Sequence, residues 1–428
     1  MDTNRINTTH VSQGINLTAY LLMITKRYFA HYKGLPSACW QRIGLEFVND
    51  MAGGVCFFLS LYFVDVLHIN IAVAGLIISS YGLGTAIGGI TGGKLSDKIS
   101  PSVVSIISLF IKAIVFLALI QLNTVPFLIM AEFLLGMTTY TFIVSNRVWV
   151  LNSCKNHEPI KLKTISMLYA ASNLGAGISA IMVSILSNFG FHTIFFLSSL
   201  FLLIAAIILC VQEKKKVIMR DGYKRTSLDI VHPKEEYTRQ KNNKKSIWLV
   251  LACLFSIGLI VAQLGTTYSI YITATYPKLG VNAVSILFAL NTFFIVFFQV
   301  PIINHFSKYN KINMVGVGAF LTGCGMFILS YAFIFPLAIL SVLIYTIGEM
   351  IFFTMAQLVI YQQSGGKKKG QSLGLFQTTY ALSVIVGPTL GGYVYYHTGG
   401  YVLWHLSGLI GLSCLILCCA AKKYNISA

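Results

Sequence analysis

"EKKKVIMRDGYKRTSLDIVHPKEEYTRQKNNKK" (213–245) is the stretch on which the reading of this chain turns. It is polar and basic, with eleven Lys and Arg over 213–246. Almost everything on either side is apolar. The 428 residues are 56% hydrophobic and 10% charged, with a mean hydropathy of +0.75. Soluble chains carry about 25% charged residues, so most of this one is expected to lie in a lipid bilayer. Apolar runs of about 20 residues are long enough to span hydrocarbon. Six precede the basic stretch, at 41–64, 71–92, 102–122, 126–149, 164–187 and 192–212. Six follow, at 247–272, 281–303, 313–335, 337–361, 372–396 and 400–421. Ten-residue segments of alternating polarity are absent, which argues against a barrel. The expected fold is an all-α membrane protein of twelve transmembrane helices.

The basic stretch divides these runs six and six. The expected organisation is an N-terminal segment (1–39), one six-helix half (40–212), a linker (213–246), a second half (247–421) and a tail (422–428). The halves repeat one another. Gly136 precedes Gly175 by 39 residues, Gly348 precedes Gly387 by 39, and the offset between halves is 212 at both positions. A parallel repeat is one way to build a central binding site.

The net charge of +18 invites a nucleic-acid reading, but its placement excludes one. If every run spans, 27 of the 31 Lys and Arg fall on one face and only Lys278 lies in a loop on the other. Arg42, Lys112 and Arg147 fall within runs. By the positive-inside rule, that face and both termini are expected to be cytoplasmic, in a bacterial inner membrane. The nine Cys have no metal-ligand spacing and read as packing residues. No phosphate-cradling Gly-Lys-Ser/Thr loop and no His-Glu-x-x-His motif occurs. No Ser/His/Asp arrangement can be placed either. The chain is therefore expected to be no enzyme and to need no cofactor or metal, and any uphill work must draw on a gradient.

"GGITGGKLSDKISP" (88–101) resembles the loop signature between spans two and three of the major facilitator superfamily, with Gly93, Leu95, Asp97 and Lys98 in register. Ser100 and Pro101 replace its later Gly and Arg. "GPTLGG" (387–392) is similar to that family's Gly-Pro packing motif, and "GEMIFF" (348–353) resembles span ten of its drug:proton antiporter branch. Charge is reversed at two family positions, Glu132 and Lys308. The resemblance implies two pseudo-symmetric six-helix halves with spans one, four, seven and ten around a central cavity. It also implies a latch in which Asp97, with Gly93 and Lys98, meets the start of span eleven near Gln371 and Ser372.

"LEFVNDMAGG" (45–54) places two acids in an apolar run. Charge at mid-bilayer is costly, so such groups face a cavity, pair, or take up a proton. Glu46, Asn49, Asp50 and Gly53 share one helical face. Asp50, Glu46 and Glu349 are the proton-coupling candidates. Asn49, Glu132, Gln263, Thr267, Tyr271, Asn291 and Gln357 are the substrate-binding candidates, with 263, 267 and 271 spaced by four. A Glu132–Lys112 pair is one structural reading of those two charges, and Arg147 is expected to reach for water at the membrane edge. The leading reading is a monomeric secondary transporter in the bilayer, exchanging a small organic molecule, cationic by preference, for protons in the direction of efflux. Proton-coupled import of a nutrient remains open, as does a non-transporting sensor or assembly protein.

Overall fold

A computed structural model of the chain describes residues 33–153, 158–186, 189–223, 244–364 and 368–423. Most of the N-terminal segment, the middle of the linker and the end of the tail lie outside the described residues.

The spans follow in chain order as α1 (Ser37–Gly53), α2 (Ile71–Lys98), α3 (Pro101–Ala118), α4 (Val125–Ser153), α5 (Glu158–Leu186), α6 (Phe191–Tyr223), α7 (Lys244–Val261), α8 (Val281–Phe306), α9 (Lys311–Leu329) and α10 (Phe335–Gln363). A continuous run, Lys369–Lys423, completes them. It is broken at Gly399, where φ is 81°, a conformation that glycine tolerates and other residues resist. The stretch before the break is α11 (369–398) and the stretch after it α12 (400–423).

Among the described residues, ten helices are long and apolar enough to cross a membrane. Two features reconcile ten with twelve. The α11–α12 run is one helix by that measure. The first span is interrupted, because after α1 the chain winds as a 3-10 turn (Gly54–Phe58), a short α segment and a π turn (Tyr62–Val66). The seventh span is broken likewise by a 3-10 turn at Ala262–Gly265 before resuming over Thr267–Thr275.

Each group of six helices has its own core. Phe63, Phe116, Phe142 and Phe195 fill the first, and Tyr268, Tyr345, Phe352 and Trp404 the second. Two seams join the groups, α2 against α11 and α5 against α8. The α2–α11 seam is backbone on backbone. A Cβ at Gly93 would lie 2.4 Å from the Gly370 carbonyl oxygen, and one at Gly374 would lie 2.3 Å from that of Gly89. Only glycine permits so close an approach. At the end of the bundle that carries the linker, the second core runs on into Val148 and Leu151 of α4 and Leu162 of α5. That end is closed.

Candidate functional site: a polar cavity between the two groups of helices

A cavity of about 450 Å³ opens between the halves, lined from α1, α2, α4, α5, α10 and α11. Asp50 and Arg147 stand on its first-half wall and Glu349 on its second-half wall. Tyr81, Tyr140, Tyr169, Tyr380 and Phe353 supply ring surface around them.

The polar face of α1 divides between cavity and interior. Asp50 reaches the cavity, while Glu46 and Asn49 are wholly buried behind it. Glu46 accepts a hydrogen bond from Asn146 Nδ2 at 2.7 Å and pairs with Arg147 Nη2 at 3.5 Å. Arg147 is thus tied inward rather than reaching for water at the membrane edge. Asn49 donates from Nδ2 to Asp50 Oδ1 at 2.9 Å and accepts at Oδ1 from Lys112 Nζ at 2.9 Å. Lys112 therefore pairs with α1 and not with Glu132. Glu132 is buried, and its Oε1 has no hydrogen-bond partner among the described residues.

Glu349 ties the halves together. Its Oε1 accepts from the Tyr169 hydroxyl of α5 at 2.7 Å, and its Oε2 accepts from Asn291 Nδ2 at 3.3 Å. Asn291 lies behind this wall, also donating to Thr346 Oγ1 at 2.9 Å. Gln357 lines the cavity.

The α7 candidates are elsewhere. Spacing by four sets residues on one face only while the helix stays α, and here the 3-10 turn at Ala262–Gly265 intervenes. Gln263 donates to the Gly387 carbonyl at 2.8 Å and accepts from Thr267 Oγ1 at 2.9 Å. Tyr271 donates to the Leu329 carbonyl at 3.2 Å. All three are used up inside the second half, and none is among the cavity-lining residues. The tyrosines went unread in the sequence. A signal did exist on α5, where Tyr169, Ser172, Asn173 and Ala176 recur at helical spacing and all line the cavity.

Below the cavity, Asp97 of α2 accepts from the backbone N–H of Gly370 at 2.7 Å and of Gln371 at 2.8 Å. These are the free donors at the start of α11, one and two residues before Ser372. Lys98 is exposed. Tyr361 of α10 donates to Asn152 Oδ1 of α4 at 3.1 Å, and Thr378 Oγ1 of α11 donates to the Ala86 carbonyl of α2 at 2.9 Å.

The fold has solved counterparts. The human organic anion transporter MFSD10 (TETRAN) superposes with a TM-score of 0.66 at 12% identity, covering 89% of this chain and 99% of that one. A POT family transporter in complex with a thioalcohol-conjugated peptide gives 0.66 at 15% identity, covering 92% and 97%. At these identities the likeness is one of fold. In sequence, the chain is 23% identical over 338 residues to the uncharacterized MFS-type transporter YqjV of Bacillus subtilis (strain 168), covering 78% of this chain and 80% of that protein. The model of the Major Facilitator Superfamily matches residues 44–388. With that match spanning most of both halves and the cavity between them, the chain belongs to the Major Facilitator Superfamily and is a multi-pass membrane transporter of the secondary kind, not an enzyme.

Proposed function

We propose that the chain exports a small organic molecule, a cation by preference, in exchange for protons, in the manner of the drug:proton antiporter branch. Asp50 and Glu349 act as the proton-carrying groups. The observation that carries this reading is that one carboxylate from each half faces the same cavity, and one of them is hydrogen-bonded across the divide to Tyr169. A bond from a hydroxyl to an ionised carboxylate is about twice as strong as one between neutral partners. Protonating Glu349 therefore loosens a contact that holds the halves together, which links proton uptake to movement.

The cavity volume falls within the range of about 300–1,000 Å³ usual for small-molecule pockets. Arg147 is already matched by Glu46, so the open charges in the cavity are acidic. The tyrosine rings offer faces that attract organic cations, and Gln357 adds a polar contact. The basic loops support a cytoplasmic location for the closed end and both termini, in a bacterial inner membrane. The described state is then outward-facing, with Asp97, Gly93 and the start of α11 bracing the cytoplasmic side. Each chain has its own complete cavity, which supports action as a monomer.

The test is transport by the reconstituted chain in vesicles under an imposed pH gradient, with a panel of aromatic and aliphatic organic cations. Asp50→Asn is expected to abolish uphill accumulation while substrate exchange persists. Undiminished uphill transport by that variant rejects the reading. Reversing the gradient distinguishes export from import.

A further inference from the structure

Lys112 of α3 is wholly buried, and the cavity as described does not use it. Its Nζ donates to Asn49 at both Oδ1 (2.9 Å) and the backbone carbonyl oxygen (3.3 Å). The amide of Asn49 passes the contact on, donating to Asp50 Oδ1 at 2.9 Å. The side chain of Asn49 is thus gripped at both ends, by an ammonium and by a carboxylate. The backbone of α1 makes room for this. A Cβ at Gly53 would lie 2.5 Å from Lys112 Nζ, and Gly53 itself lines the cavity. The ammonium therefore stands directly behind the cavity wall.

Charge matching points the same way. A buried ammonium is costly unless it is compensated, and a neutral amide does not cancel a full charge. Arg147 is matched by Glu46 and Arg42 by Glu213. Asp50, one amide away, is the carboxylate to which Lys112 is linked by hydrogen bonds. The other titratable or charged groups around Asp50 are Glu46 on its own helix, Tyr140 and Arg147 on α4, and Tyr169 on α5. Tyr81 on α2, Glu349 on α10 and Tyr380 on α11 face it across the cavity.

We propose that Lys112 is a positioning residue for Asp50, a fixed positive charge relayed through Asn49 that orients the carboxylate and favours its ionised form. This rests on the reading of Asp50 as a proton-carrying group and names one fixed charge that acts on it.

The experiment needs no substrate. The full-length chain in lipid nanodiscs is titrated while the infrared carbonyl band of protonated Asp50 is followed, the band being identified by its loss in Asp50→Asn. Lys112→Met is expected to move the midpoint upward by about one to two pH units. Asn49→Leu, which leaves the lysine but cuts the relay, is expected to move it in the same direction. Lys112→Arg is expected to restore it towards the native value. A midpoint that Asn49→Leu leaves in place, whether or not Lys112→Met folds, overturns the proposal. Proton-driven transport that survives Asp50→Asn overturns the coupling role of Asp50 instead, and leaves the midpoint comparison to decide on Lys112.

Discussion

Replacing Asp97 by Asn tests whether the contact between α2 and the start of α11 holds the linker end of the bundle shut. The carboxylate accepts two backbone N–H groups, at 2.7 and 2.8 Å. Hydrogen bonds to a charged group contribute about 1.5–3 kcal/mol each, and the lower figure applies at a half-exposed site. An Asn side chain has one oxygen, so one bond is lost, and its amide N–H₂ then faces a backbone donor. The remaining bond becomes neutral and loses about half its strength. The closed state should lose about 2 kcal/mol, or roughly 30-fold in its equilibrium with the open one. The assay uses a chain with its nine native Cys replaced and a single Cys at the cavity position Gln357. An impermeant maleimide is applied from the side of the basic loops, and the labelling rate is expected to rise by up to that factor. A rate that stays unchanged or falls refutes the latch.

Two further outcomes follow from the cavity walls. Tyr169→Phe removes the 2.7 Å bond to Glu349 and should weaken the tie between halves by about 1.5–3 kcal/mol. In vesicles, the substrate gradient sustained by a given pH gradient should fall while exchange continues; an unaltered gradient would show that the bond has no part in coupling. Arg147→Met leaves Glu46 buried without its counter-charge and should cost about 3–5 kcal/mol. Detergent-solubilised protein should then unfold at a lower temperature, and adding Glu46→Gln should recover most of the loss. Failure of the second change to recover stability would mean that the pair is not what holds α1 to α4.

Much of the fold was open to a reader of the sequence, because lipid imposes a coarse rule on composition. Twelve apolar runs became twelve spans for that reason. The rule marks where the membrane ends, not where a helix does. The sixth apolar run ends at 212, yet α6 continues to Tyr223, since Glu, Lys, Met and Arg are good helix formers in water. The site was legible only where a charge interrupts a run. Asp50 and Glu349 stood out in this way and both line the cavity. Glu46 stood out by the same signal but is sealed behind the wall, because Asn146 and Arg147 of α4 satisfy it. No sequence pattern announces which acid meets its partner a hundred residues away. The tyrosines were hidden by number: four line the cavity, against 22 Tyr and 29 Phe in the chain.

The break in the first span has a consequence for azimuth. An α-helix turns about 100° per residue and a 3-10 helix about 120°. Over the five residues Gly54–Phe58 the difference accumulates to about 100°, more than a quarter of a revolution. A uniform helix would carry the stripe of Glu46, Asn49, Asp50 and Gly53 onward towards the outer end. Here the stripe stops at Gly54, and beyond the turn Leu59, Tyr62 and Phe63 are swung into the core. The two stretches of the span are set like separate cams on one shaft. A twist of the Asp50-bearing stretch can be absorbed in the turn between them, leaving Tyr62 and Phe63 where they are.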